Sequence, residues 1–521
     1  MSAAPAAAGR PAEPAIPVRR MLAFLAMVFG MFMAILDIQI VSASLREIQA
    51  GLSASAEEIA WVQTSYLIAE VIMIPLSGYL ARALSTRVLF TLAAGGFTLA
   101  SLLCATATNI EEMILYRALQ GFIGGGMIPT VFASSFQIFP RSKQPLVAPM
   151  IGLVVTLAPT IGPTVGGYLT DLFSWHWLFL VNLVPGVIVT ATAWTLIDFD
   201  EPDYTLLQRF DWLNLISMAV FLGTLEYVLE EGPAKDWFDD ERILLLTILC
   251  VTSCMVFFHR CLTSPQPIVD LKAYLNPNFA VGSLFSFVMG IGLFGLTYLY
   301  PVYLGRVRGY SALQIGETLF ITGLCMFFAA PLVGRLMTRV DPRFMMVAGF
   351  GGFSIGTWLA SYITKDWAFH ELLLPQIFRG VSLMMCMVPI NNLALGTLPP
   401  DRLKNASGLY NLTRNLGGAV GLALINTMIN DRWDLHIQRL HETLSWGRGV
   451  GEEQLARLAE RFAPLGSDAS LAAIRQLMQQ VRQEALVMAL GDVFAALTGI
   501  FLLLILMVPI MKRSAARGGA H

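Results

Sequence analysis

The sequence predicts an all-α integral membrane protein: fourteen transmembrane helices, as two pseudo-symmetric six-helix bundles with a two-helix insert between them. Three observations predict it. The 521 residues are 56% hydrophobic and only 13% charged, about half the charged share of a soluble domain, and the mean hydropathy is +0.65. The apolar residues gather into stretches of roughly 20, the length that crosses a bilayer. A pattern in the first half of the chain also returns in the second.

The chain opens with MSAAPAAAGRPAEPAIPVRR, residues 1–20, an Ala/Pro-rich segment expected to be a disordered cytoplasmic N-terminus. Arg19 and Arg20 then precede an apolar run too long for a signal-peptide core, with no small-residue cleavage site after it, so it reads as an uncleaved first span. The expected spans are 21–44, 58–80, 87–107, 111–137, 146–168 and 176–197, then 212–229 and 242–261, then 279–304, 312–336, 344–363, 371–397, 405–428 and 486–511. The bundles therefore occupy 21–197 and 279–512, the insert 198–278, and a short cytoplasmic tail 513–521.

An even span count puts both termini on one side. With that side cytoplasmic, the inner segments hold eighteen Lys and Arg, against six in the short outer loops (Arg46, Lys235, Arg242, Arg306, Arg308 and Lys365). This bias favours an N-in orientation. One outer connection, 429–485, is long and polar. Leu455, Leu458 and Phe462, then Leu471, Ile474, Leu477 or Met478, and Val481 recur at helical spacing, and Asp468 or Ser470 could cap the second run. Two short amphipathic helices capping the outer mouth are expected; a folded loop with no role of its own is the alternative.

The repeat pairs PLSGYLARALSTR at 75–87 with PLVGRLMTRVDPR at 331–343; both read Pro-Leu-x-Gly-x-Leu and run into a basic loop. Downstream, Arg117 has a counterpart in Arg379, at 42 residues from the proline (75 to 117) against 48 (331 to 379). Halves related in this way mark alternating-access transporters, which hold substrate between the halves near the midplane.

Charges inside spans are costly, so those that persist are functional or paired. The candidates are Asp37, Glu70, Arg117, Glu226, Glu317, Arg379 and Arg414. Each has a structural alternative: an ion pair or a staple between helices. Asp37, Arg117, Glu70 and Glu317 are the proton-coupling candidates. Gln39, Gln63, Tyr66, Gln120, Arg379, Asn411 and Arg414 are candidates for the substrate cavity. Cys250 and Cys254 lie one turn apart with no histidine or carboxylate beside them, the six histidines are scattered, and no phosphate-binding GxxxxGK[ST] sequence occurs. No metal site, cofactor or enzymatic activity is expected, and ATP is not expected to drive this chain.

These motifs resemble the major facilitator superfamily, and most of all its 14-span drug:proton antiporter family (EmrB/QacA-like), over about 20–512. LDIQIVSASLREI at 36–48 is similar to the family's first-span motif: Asp37 and Leu45 match, while Gln39, Ser42 and Arg46 depart. GYLARALSTR resembles the gating loop between spans two and three, represented by Gly78, Arg82 and Arg87 and, in the second half, Gly334. Arg82 stands where relatives carry an acid and Ser85 replaces a glycine, which removes the acid of a gating salt bridge seen in the wider superfamily. LYRALQGFIGGG keeps the fourth-span Arg117, Gln120 and Gly121, and the family links this arginine to proton transfer. WHWLFLVNLVPG at 175–186 is a further match, with His176 where arginine is usual.

LAPTIGPTVGG at 157–167 resembles the fifth-span antiporter motif. Ala158, Gly162 and Gly166 recur every four residues, a small-residue face for a close helix approach. With Pro159, Pro163 and Gly167 they are expected to form a kinked hinge between the halves. The resemblance implies proton-driven export of amphipathic or lipophilic compounds, with a proton-coupled metabolite importer or symporter as the alternative. It also implies a bacterial inner-membrane location, no nucleic-acid partner, and a role for 429–485 in docking an EmrA-like periplasmic adaptor and an outer-membrane channel.

Overall fold

A computed structural model describes residues 16–140, 142–208, 210–399, 402–445 and 450–512. The first fifteen residues of the expected disordered N-terminus and the tail 513–521 lie outside the described residues. Among those described every regular element is helical. The long helices of the first part are α1 (Val18–Ala43), α2 (Ala56–Leu84), α3 (Thr86–Ala105), α4 (Ile110–Gly124), α5 (Met127–Ile138), α6 (Gln144–Leu172) and α7 (Leu183–Leu196), and the insert supplies α8 (Trp212–Glu231) and α9 (Glu241–Thr263). The second part contains α10 (Pro277–Arg306), α11 (Ala312–Arg339), α12 (Pro342–Ala360), α13 (Phe369–Leu395), α14 (Leu403–Ser445), α15 (Val450–Arg461) and α16 (Ala469–Met507).

Local chemistry sets many of the helix starts. Ser55 and Glu58 form a reciprocal capping box at α2, Asn109 caps α4 through the Glu112 amide at 2.8 Å, and Asp211 caps α8 through the Asn214 amide at 3.0 Å. Because α1 begins at Val18, the last three residues of the segment expected to be disordered are helical.

Eleven helical segments among the described residues are long and apolar enough to cross a membrane. Three expected spans differ in ways their sequences explain. The stretch 111–137 is two helices, α4 and α5, because Gly125 and Gly126 interrupt it. Near 344–363 lies α12, 19 residues opened by Pro342 and Arg343 and diluted by glycines. The expected span 405–428 is the first part of α14, which carries Asn405, Asn411, Arg414 and Asn415 and runs on for 43 residues.

The segment 429–485 also departs from expectation. Its polar residues continue two helices rather than folding into a separate cap. α14 runs to Ser445, α15 forms the expected first amphipathic helix, and the second is the opening of α16. Asp468 precedes α16 without a side-chain cap bond, and Ser470 lies inside the helix. At 1.5 Å per residue α14 is roughly 65 Å long, about twice a bilayer core. The projecting parts bind each other: His436 meets Asp492 at 2.9 Å, and Trp433 Nε1 donates to Arg482 O at 2.9 Å.

α1 packs on α6, α2 on α4, and α3 on α7; later in the chain α10 packs on α14, and α12 on α13 and α16. The groups are joined by α6 against α11 and α13 and by α14 against α2 and α5. α8 lies against both α2 and α14. α9 turns apolar side chains outward, Leu245 and Met255 among them.

Candidate functional site

Asp37 of α1 and Arg117 of α4 are both fully buried and meet at 2.6 Å. Asp37 also accepts from Asn182 Nδ2 at 2.7 Å and from Gln120 Nε2 at 3.2 Å. Arg117 donates to Gln120 Oε1 at 2.6 Å and to Val62 O at 3.3 Å, and its guanidinium lies 4.2 Å from the Tyr66 ring centroid. Ser101 Oγ closes the network by accepting from Gln120 at 2.8 Å. Arg117 Nη2 and Tyr66 Oη have no hydrogen-bond partner among the described residues. A buried ion pair is little gain over apolar packing, but removing one partner strands the other charge. The network therefore favours Asp37 and Arg117 changing state together. Asn182 and Ser101 were not anticipated; the one sequence signal for Asn182 is a lone polar residue in VNLVPG.

One turn beyond Tyr66 on α2, Glu70 lines a central cavity between the two helix groups. Its unfilled space, open mouth included, is about 770 Å³. Ile38, Gln39, Leu67, Leu293 and Phe294 supply much of the apolar and polar wall, and Pro159 and Arg414 face it from α6 and α14. Arg414 Nη2 donates to Asn411 Oδ1 at 2.6 Å. Glu226 and Glu230 of the insert line the cavity as well.

The expected residues are thus only partly brought together. Gln39 and Arg414 line the cavity, Asn411 braces Arg414, and Gln120 and Tyr66 belong to the Asp37 cluster. Gln63 is half-buried on α2 with its Oε1 unpartnered among the described residues. Arg379 lies apart, its Nη2 donating to Thr297 Oγ1 at 2.8 Å beside the Tyr300 ring. Glu317 is exposed and outside the cavity lining, on an α11 stripe with exposed Phe320, Leu324 and Phe327.

The glycine–proline motif does not break its helix; α6 runs unbroken through Pro159 and Pro163. Ala158, Gly162, Gly166 and Gly167 are buried. A Cβ on Gly162 would come within 2.3 Å of Gln39 Cβ, and one on Gly166 within 2.8 Å of Ile40 O, so these glycines let α1 and α6 touch. α6 also packs against α11 and α13, which sets it between the two groups.

At the end of the molecule holding the Ser85 turn, the groups are tied together. Lys404 Nζ of α14 meets Asp200 Oδ2 at 2.5 Å and donates to Ala81 O at 2.9 Å. Asp200 is fixed in turn by the Thr86 amide at 2.8 Å and hydroxyl at 2.6 Å. A Cβ on Gly78 would lie 2.8 Å from Lys404 O, so the contact is main chain on main chain. Asn405, its amide set to satisfy both neighbours, donates to Gly78 O at 3.1 Å and accepts from Arg82 at 3.0 Å. Arg87 stacks over Trp194 at 4.3 Å, and Gly334 abuts Pro145 of α6. An acid from the connection after α7 thus supplies an ion pair across the groups.

Residues 27–422 match the family model described as Major Facilitator Superfamily. The chain is 41% identical to the colistin resistance protein EmrB of Acinetobacter baumannii over 474 residues, 91% of this chain and 93% of that protein. It is 28% identical to the multidrug export protein EmrB of Escherichia coli over 503 residues, 95% and 97% of the two chains. Its fold is similar to the crystal structure of the human organic anion transporter MFSD10, with a TM-score of 0.58 at 13% identity, covering 95% of this chain and 100% of that one.

Proposed function

The chain belongs to the major facilitator superfamily, among its EmrB-like members, and from that premise we propose that it is a proton-driven multidrug exporter working by alternating access. The observation that carries this reading is the fully buried Asp37–Arg117 pair, one turn of α2 away from a cavity between the two helix groups. The layout is fourteen spans. α1–α3, α4 with α5, α6, and α7 with the short helix Trp177–Leu180 form one half; α10–α14 and α16 form the other; α8 and α9 are the insert. With both termini cytoplasmic in a bacterial inner membrane, the Lys404–Asp200 tie closes the cytoplasmic end.

The proton acts through Asp37. In the carboxylate form it accepts from Arg117, Asn182 and Gln120. A proton on Asp37 cancels the charge holding Arg117, which is left with Gln120, Val62 O and the Tyr66 ring. That shift reaches the cavity along α2 through Tyr66 and Glu70. α6, packed by its glycines against α1 and in contact with α11, is the hinge. A ligand shifts such an equilibrium only by binding the two facing states differently, and the cavity between the halves is where it does so. The projecting helices of 429–485 supply a docking surface for an EmrA-like adaptor and outer-membrane channel.

The test is ethidium transport in proteoliposomes with and without an imposed pH gradient, comparing the native chain with Asp37→Asn. Gradient-dependent transport by the native chain, lost in the variant, supports the reading. Transport that ignores the gradient sinks it.

A further inference from the structure

The insert is more than a spacer between halves. α8 spans the seam between α2 and α14. Gly223 lies against Ile68 and Ile72, Tyr227 stacks on Trp61 with centroids 5.4 Å apart, and Trp237 Nε1 donates to Thr427 Oγ1 at 2.9 Å. Its buried face repeats every four residues: Asn214, Met218, Leu222, Glu226. Glu226 and then Glu230 carry that face into the central cavity.

Glu226 is only 6% exposed, and no hydrogen bond or ion pair to its carboxylate is found among the described residues. Glu70, 4% exposed, shares this condition. The oxygens of both acids open on the cavity space rather than being sealed off without a partner, so a cation brought by a ligand can reach them. The cationic side chain among the cavity-lining residues is Arg414, 3% exposed, whose Nη1 is also unpartnered among the described residues. One guanidinium facing Glu70, Glu226 and Glu230 leaves an acidic excess in otherwise apolar surroundings of Leu67, Val71 and Phe294.

We propose that α8 supplies a substrate-selecting carboxylate, Glu226, which with Glu230 and Glu70 receives the cationic centre of an amphipathic ligand in the central cavity. The inference rests on the transport reading above and is tested without any gradient. Tetraphenylphosphonium, and its neutral relative triphenylphosphine oxide, are titrated into the purified full-length chain. Glu226→Gln weakens phosphonium binding about tenfold and changes binding of the neutral compound less than about twofold, while Glu226→Asp restores most of the loss. Glu241→Gln, at the exposed start of α9, leaves both unchanged. If Glu226→Gln does not keep a folded elution profile, Glu230→Gln carries the same comparison. Full phosphonium affinity in the variant, equal loss for both compounds, or no phosphonium binding by the native chain overturns the proposal. Binding that behaves as expected in a chain that moves nothing under a pH gradient overturns the transport reading instead.

Discussion

The first and second parts of the chain repeat one contact with different chemistry. Arg117 reaches back 80 residues to Asp37, and Arg379 reaches back 82 residues to Thr297. In each case an arginine downstream of the repeated Pro-Leu-x-Gly-x-Leu segment meets the first long helix of its own group, and an aromatic ring, Tyr66 or Tyr300, lies beside the guanidinium. The acceptor is a carboxylate in the first case and a threonine hydroxyl in the second. A carboxylate can take up a proton and cancel its charge; a hydroxyl cannot. On the proposed transport reading, the repeat keeps the arginine in both places and a carboxylate partner in one, and coupling is expected to run through the first group.

The largest expected effect tests that assignment. Asp37→Asn reduces gradient-driven ethidium transport to the level of protein-free vesicles, whereas Thr297→Val leaves gradient dependence intact; loss of coupling in the second variant would break the asymmetry. Next comes stability. Arg117→Met leaves the buried Asp37 carboxylate with Asn182 and Gln120 but no cation and is expected to cost about 3–5 kcal/mol, read as a lowered unfolding midpoint in detergent. A third effect concerns the tie between groups. Asp200→Asn removes the charged acceptor for Lys404 and weakens the closed end by about 1.5–3 kcal/mol, seen as faster thiol labelling of a cysteine placed at Ser77 in a cysteine-replaced background. Labelling at the native rate would show that main-chain contact at Gly78 suffices. The smallest effect is expected for Arg379→Met. Its partner Thr297 still donates to Leu293 O at 2.7 Å, so no carboxylate is stranded, and an apolar side chain of similar length is tolerated within about 1 kcal/mol. A loss as large as that of Arg117→Met would mean that Arg379 has a charged partner in another facing state.

Much of this was legible in the sequence because hydropathy reports bilayer-crossing length directly. Asp37, Glu70 and Arg117 stood out for the same reason, since a charge in an apolar run has few neutral explanations. Several features were not legible. Asn182 and Ser101 are short polar residues whose role depends on partners 145 and 19 residues away. Asp200 and Lys404 sit in polar connections, where a charge carries no signal, and their pairing over 204 residues is purely tertiary. Helices were expected in 429–485, but as a separate cap; their continuity with α14 and α16 was not legible because polar composition marks exposure to water and says nothing about where a helix ends. Glu317 was misleading for the opposite reason: a charge near the end of a span can lie on its outer stripe. Glu226 was visible as a charge, yet only the four-residue register from Asn214 through Glu230 indicates the direction it faces.

The long α14 has a mechanical consequence. One end of the helix carries Lys404 of the closed tie, and Arg414 of the cavity follows in the same first third. Its far part, braced against α16, stands clear of the apolar layer. Because the rod is continuous, a tilt of a few degrees near the tie becomes a sweep of several ångströms at the tip. Whatever rests on that tip is pushed each time the cavity changes sides, so the same stroke that moves cargo can also work as a lever on a neighbour.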